Sequence, residues 1–288
     1  AIAVLISRAL EAENFEAAFE LIESLFREAN NDEEFGWRRA NVKSALSGVD
    51  SVALATLVRE AARAKTRRAA EVASSTLMLV PQVAMGLTNL IGTPEGAEIA
   101  QPLRESIRQL GHTALAPLAK LLREGSPAAR EGALEILVES GRGWAVEEIA
   151  AAMKSADPAF IIRALNFLPR VRIPLSTETC FWALSSSFPE VRSAAYRALG
   201  ELEDNSALPQ IMRTAARHSA FRGPSIEQIA AVSALGQFRE PEAVDCLKKI
   251  AVRRPLFAGA RYEPVRRAAQ LALELADPDR SAGLTKAA

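Results

Sequence analysis

The chain has 288 residues, 49% of them hydrophobic but only 6% aromatic, enough for one large core or one long stack of repeats. Lys plus Arg and Asp plus Glu number 35 each, so bulk charge selects neither nucleic acid nor a membrane surface. The two cysteines, Cys180 and Cys246, read as small core side chains and not as a disulfide framework; with no basic leader and cleavage site visible, the expected setting is cytoplasmic.

Residues 2–10 and 15–26 are amphipathic and predict a helical hairpin. Residues 11–35 then hold nine acidic side chains against Arg27 alone, and residues 36–68 hold eight basic against two acidic. Two solvated helix faces of opposite sign, or an acidic or basic docking surface, would both give that pattern. From 72 to 94 runs a stretch of 23 residues without a charge. Its length is sufficient for a membrane span, but Ser74, Ser75, Pro81, Gln82, Gly86 and Asn89 interrupt it. The expectation is two buried helices, apolar all round and broken at Pro81.

From residue 95 the chain repeats itself. The clearest copy is 189–200, PEVRSAAYRALG. With Arg192 as position zero, Ala195 stands at plus three, Ala198 at plus six, Leu199 at plus seven and Gly200 at plus eight. The same outline is centred on Arg130 (Ala133, Ile136, Leu137), Ile161 (Ala164, Phe167, Leu168), Gln228 (Ala231, Ala234, Leu235, Gly236) and Arg266 (Ala269, Ala272, Leu273). The steps are 31, 31, 36 and 38 residues. Plus three, six and seven share one helix face, and proline suits the first turn of each copy. A second amphipathic segment precedes each copy, at 114–122, 146–153, 177–184, 207–216 and 243–252. One such pair cannot bury its apolar face alone, so neighbouring pairs must stack. Gly111, Gly141 and Gly200 are expected C-caps, and Thr113, Ser126, Asp157 and Ser225 expected N-caps.

On Pro127-Ala-Ala-Arg130, Pro189-Glu-Val-Arg192 and Pro264-Val-Arg266-Arg-Ala-Ala269, residues 95–277 resemble the HEAT-repeat family, in its short bacterial form. The resemblance implies an all-α fold, a right-handed α-solenoid of antiparallel helix pairs. Residues 1–94 would then be divergent helix pairs continuous with the solenoid, and 278–288 a frayed tail. The family's helix-start arginine pairs with a nearby acid; Ile161 and Gln228 depart from that pattern, so the ladder of pairs is broken there.

No catalytic or cofactor pattern emerges. His112 and His218 lack Cys, Asp or Glu at metal-ligand spacing, and there is no nucleophile elbow, P-loop or dinucleotide fingerprint. Glu147 and Glu148 are adjacent and diverge on a helix. The glycines in 140–144 read as a helix connector, and Trp37, Trp144 and Trp182 as core or inter-repeat packing. The expected function is therefore a non-enzymatic scaffold for another protein or peptide, with no cofactor and no membrane span. The family also includes nucleic-acid-binding members of the DNA glycosylase type and pigment-handling lyases or chaperones, but their site residues have no match here.

Two surfaces are candidates. In HEAT arrays the second helices line the inner wall, and positions plus one and plus four would expose Ile162, Leu165, Tyr196, Ile229 and Val232 beside Leu134 as a partner groove, unless they pack between repeats. The longer steps of 36 and 38 insert residues into the last two turns. Those turns carry Arg217, His218, Phe221 and Arg222, then Arg253, Arg254, Phe257 and Arg261, with no acid. Arginine forks there suit an anion, unless they pair with Glu227, Asp245 or Glu263 while the phenylalanines plug the core.

Overall fold

A computed structural model describes residues 2–30, 37–64, 66–154, 156–217, 224–253 and 261–276. Among them every regular element is an α-helix or a 3-10 turn. The chain divides into two compact units, residues 1–140 and 141–288.

The first unit contains α1 (Ile2–Glu11), α2 (Phe15–Asn30), α3 (Trp37–Ser47), α4 (Ser51–Ala64), α5 (Arg67–Leu79), α6 (Ala100–Leu110), α7 (Leu115–Glu124) and α8 (Pro127–Glu139). Side-chain oxygens define several starts. Asn14 Oδ1 accepts from the Ala17 N–H at 3.1 Å, Asp50 Oδ2 from Ala53 at 2.9 Å, and Ser126 Oγ from Ala129 at 3.3 Å. Ile6, Ile22, Leu46, Leu54, Leu57 and Leu77 fill the core. The opposite charge runs meet at one point: Arg68 donates to Glu23 across the helices and lowers that carboxyl's pKa, with Arg27 adding to the effect.

The uncharged stretch departs from expectation. After α5 the chain passes into a 3-10 run, Pro81–Leu90, and neither segment is buried all round. Val83, Ala84 and Leu87 face inward, while Met78, Gln82, Met85 and Asn89 reach solvent. Pro81 cannot donate into the preceding helix, so α5 stops. Arg59 of α4 then donates to the Gly86 carbonyl at 3.0 Å, and a Cβ on Gly86 would come within 2.9 Å of Ala55 Cβ. Among the described residues no helix is long and apolar enough to cross a membrane.

The second unit contains α9 (Gly143–Met153), α10 (Pro158–Phe167), α11 (Pro174–Ala183), α12 (Pro189–Leu202), α13 (Leu208–Ala215), α14 (Ile226–Leu235), α15 (Pro241–Ala251) and α16 (Glu263–Ala276). The helices bearing the repeat outline stack in sequence, α10 on α12, α12 on α14 and α14 on α16. Each also packs on the helix before it, completing the pairs. Asp157 and Ser225 cap α10 and α14, as their spacing predicts. Thr113 does not cap α7; its hydroxyl donates back to the Leu110 carbonyl at 2.8 Å, inside a 3-10 turn.

Gly111 and Gly141 take positive φ, 54° and 61°, just past α6 and α8. Gly200 does not end its helix. It lies within α12, which runs on to Leu202 and is closed by Glu203 at φ 53°. Its reason is contact: a Cβ on Gly200 would lie 2.8 Å from Ala234 Cα, and one on Gly236 would lie 2.9 Å from Ala272 Cα. In both cases the plus-eight glycine of one repeat meets the plus-six alanine of the next.

At the turns between repeats, the Thr177 hydroxyl donates to Asp204 Oδ2 at 2.8 Å and the Ser206 N–H to Asp204 Oδ1 at 2.9 Å. Arg172 reaches the Glu201 carbonyl and the Glu203 carboxylate, each at 3.2 Å.

Gly200→Ala should lower thermal stability, because a clash with backbone costs about 1–3 kcal/mol and outweighs the helix-propensity gain of roughly 1 kcal/mol. Gly143→Ala, whose Cβ meets nothing within 4 Å, should melt at or above the parent temperature. A Gly200→Ala protein as stable as its parent would show that the close approach constrains nothing.

The Ser206 N–H, followed by the Thr177 hydroxyl, holds the Asp204 carboxyl below its ordinary range. A depressed carboxyl stabilises the fold in full above the unfolded pKa and loses that contribution as pH falls through the folded one. Asp204→Asn should therefore narrow the stability gap between neutral pH and about pH 3, measured by urea unfolding, and an unchanged gap would contradict the assignment.

Candidate functional site

In three repeats the residue at position zero has a common task. Arg130 donates to the Arg123 carbonyl at 2.9 Å, Arg192 to the Ser186 carbonyl, and Gln228 to the Ala215 carbonyl at 3.1 Å and to that of Arg217. Each takes up carbonyls at the end of the preceding helix, which have no partner inside it. A glutamine can do this as well as an arginine. Arg192 does more: its second terminal nitrogen reaches Glu227 Oε1 of the next repeat at 2.6 Å, and that carboxylate raises the Arg192 pKa further.

These bonds knit three turns of the second unit into one edge. Arg192 joins the α11–α12 turn to the start of α14, and Ser193 Oγ donates to the Ile226 carbonyl beside it at 3.2 Å. Gln228 ties the start of α14 to the end of α13. Arg253, at the end of α15, donates to the Ala216 carbonyl at 3.2 Å.

Of the predicted anion-binding residues, Arg217, Arg253 and Arg261 are described; His218, Phe221, Arg222, Arg254 and Phe257 lie outside the described residues. Arg217 and Arg261 are exposed and Arg253 is half-buried. The carboxylates that could have taken them are engaged elsewhere. Glu227 binds Arg192, Asp245 binds Lys248 at 3.6 Å, and Glu263 binds Arg266. Among the described residues none of the three edge arginines forms an ion pair.

The predicted groove is different. Leu134, Leu165, Tyr196 and Val232 are buried, and Ile162 and Ile229 half-buried, so the apolar row does not face solvent. Plus four turns inward because the next pair packs over it. Tyr196 even satisfies its hydroxyl inside, 2.7 Å from Thr214 Oγ1 of α13.

The exposed apolar residues are others. Trp182, expected in core or inter-repeat packing, is 41% exposed near the end of α11; Phe188 and Ile226 are 48% and 47% exposed at the starts of α12 and α14. The last two stand four and two residues before position zero. Phe188 directly precedes the proline that opens α12, which fixes it on the turn. That local signal was present in the sequence and was masked by reading only the helix faces.

The buried thiols offer little nucleophilic chemistry. Burial pushes Cys180 up to about 12 and raises Cys246. His112 stands in the 3-10 turn Gly111–Ala114. Among the described residues no three His, Cys, Asp or Glu side chains come together as a metal site would require.

Residues 146–222 match the HEAT repeats family. Solved structures similar to the chain include human deoxyhypusine hydroxylase in complex with glycerol, at 17% identity and a TM-score of 0.38, with 96% of this chain and 98% of that one covered. No curated protein matches.

Arg192→Met should cost about 1–2 kcal/mol, since it leaves the Ser186 carbonyl and Glu227 without their donor. Arg192→Lys should recover less than half of that loss, because one ammonium lacks the fork that reaches both. Full recovery by lysine in denaturant unfolding would remove the bidentate role.

Proposed function

Because residues 146–222 are HEAT repeats, we propose that this chain is a non-catalytic interaction scaffold whose second unit holds a protein partner along its turn edge. The observation that carries the reading is the set Arg217, Arg253 and Arg261, which stands on a hydrogen-bonded edge without acidic partners among the described residues. An arginine in that state can form charge-assisted hydrogen bonds with a carboxylate from outside. Fixing the edge in advance reduces the ordering cost of association.

The test compares captures from source cells by the parent and by an Arg217→Ala, Arg253→Ala, Arg261→Ala variant, with the melting temperature followed because Arg253 also bonds Ala216. The variant should fold and should recover at least about tenfold less of a specific protein. If every captured protein is retained, the edge is structural. Retardation of duplex DNA at about 0.15 M salt, lost in the variant, would instead favour the nucleic-acid reading.

A further inference from the structure

We infer that the turn edge of the second unit recognises a linear acidic segment of a partner protein, anchored by bulky apolar side chains on Trp182, Phe188 and Ile226 and by carboxylates on Arg217, Arg253 and Arg261. This rests on the scaffold reading and names the chemistry of its partner. Among the described residues of the unit, most exposed bulky apolar side chains stand at helix ends on one edge. Trp182, Phe188, Ile226 and Val252 stand at helix ends on this edge, and Leu271 and Leu275 lie on the face of α16. The first three stand beside the two turns that Arg192 joins. Arg192 holds the Ser186 carbonyl on one side and Glu227 on the other, which brings the 182–188 turn against Ile226 and Glu227. Exposed bulky apolar side chains gathered on turns that are bonded to one another mark an interaction surface.

Charge gives the surface a direction. Glu190 is exposed in the first turn of α12, beside Phe188, so the apolar half is not basic overall. The arginines without ion pairs follow on the next two turns, Arg217 after α13, Arg253 after α15 and Arg261 before α16. Stacked helices are about 8–10 Å apart, so the two halves are separated by roughly 10–20 Å, which about three to six extended residues span. The complementary ligand is therefore a short extended segment with bulky apolar residues first and acidic residues a few positions away. A duplex would place phosphates on the arginines but would leave Trp182, Phe188 and Ile226 uncovered, so a peptide fits better.

The probe is a fluorescein-labelled peptide of about twelve residues with Trp and Leu at one end and four glutamates at the other. Three controls replace Glu by Lys, replace Trp and Leu by Ser, or substitute a short DNA duplex. The full chain should bind the acidic peptide by anisotropy with a Kd on the order of tens of micromolar, and each control at least about tenfold more weakly. Trp182→Ser with Phe188→Ser should weaken binding about tenfold or more, and Ile226→Asp provides a second, independent anchor variant. Arg217→Glu with Arg261→Glu should weaken binding and flatten its dependence on salt. Equal binding of the lysine peptide, tighter binding of DNA, no binding of the acidic peptide, or unchanged binding by folded edge variants would each overturn the inference. If the peptide fails while the alanine variant still loses a captured protein, only the partner chemistry is wrong; if the alanine variant loses nothing, the scaffold reading fails first.

Discussion

The stacking of α12 on α14 and of α14 on α16 depends on one kind of contact, a glycine of one helix pressed on an alanine of the next. With Gly200 against Ala234 and Gly236 against Ala272, the helices approach until backbone meets backbone. Such contacts tolerate almost no change in volume, because the space that a single methyl would need is already filled. They also fix the sliding register of α12, α14 and α16. Plus eight must face plus six, so position zero of each repeat arrives at the same height on its neighbour. The hydrogen bonds from Arg192 to Glu227 and from Gln228 to the end of α13 are possible because of that alignment.

In the repeat centred on Ile161 the helix itself changes. Plus eight of the repeat centred on Ile161 is Pro169, which cannot continue an α-helix. α10 accordingly ends at Phe167, and the buried Leu168 and Pro169 form a 3-10 turn that packs on α12. Arg170 lies 4.7 Å above the Phe167 ring there. At this repeat a turn, and not a helix, packs on α12 at plus eight. The same position thus solves one packing problem in two ways, and the local sequence selects which.

Most of this architecture was legible from the residues. The period, the prolines at helix starts and the small residues on one face specify stacked pairs, and the caps at Ser126, Asp157 and Ser225 fall where their spacing puts them. Gly200 was misread because a glycine after an apolar run suits a C-cap and a close helix contact equally; only the neighbour's Ala234 decides. Whether Tyr196 and Val232 would line a groove or pack between repeats stayed open, because their burial depends on which faces the adjoining helices cover, a property of the stack and not of one helix. The basic edge was visible in composition, but its state was not. Whether Glu227 would meet Arg192 or Arg217 follows from the register, and the register follows from the glycines.

Register also explains why variation in repeat length collects on one edge. Gly200 and Ala234 are 34 residues apart and Gly236 and Ala272 are 36 apart, yet both pairs make the same contact. Extra residues inside a helix would rotate everything after them by about 100° each and break the glycine contact. Extra residues in the turn before position zero leave the helices untouched. The stack therefore confines the longer steps to the α13–α14 and α15–α16 turns, beside carbonyls already satisfied by Gln228 and Arg253. Arg217 and Arg261, exposed on those turns, are not needed for that task. The constraint that makes the helices unforgiving is the one that leaves this edge free to carry binding chemistry.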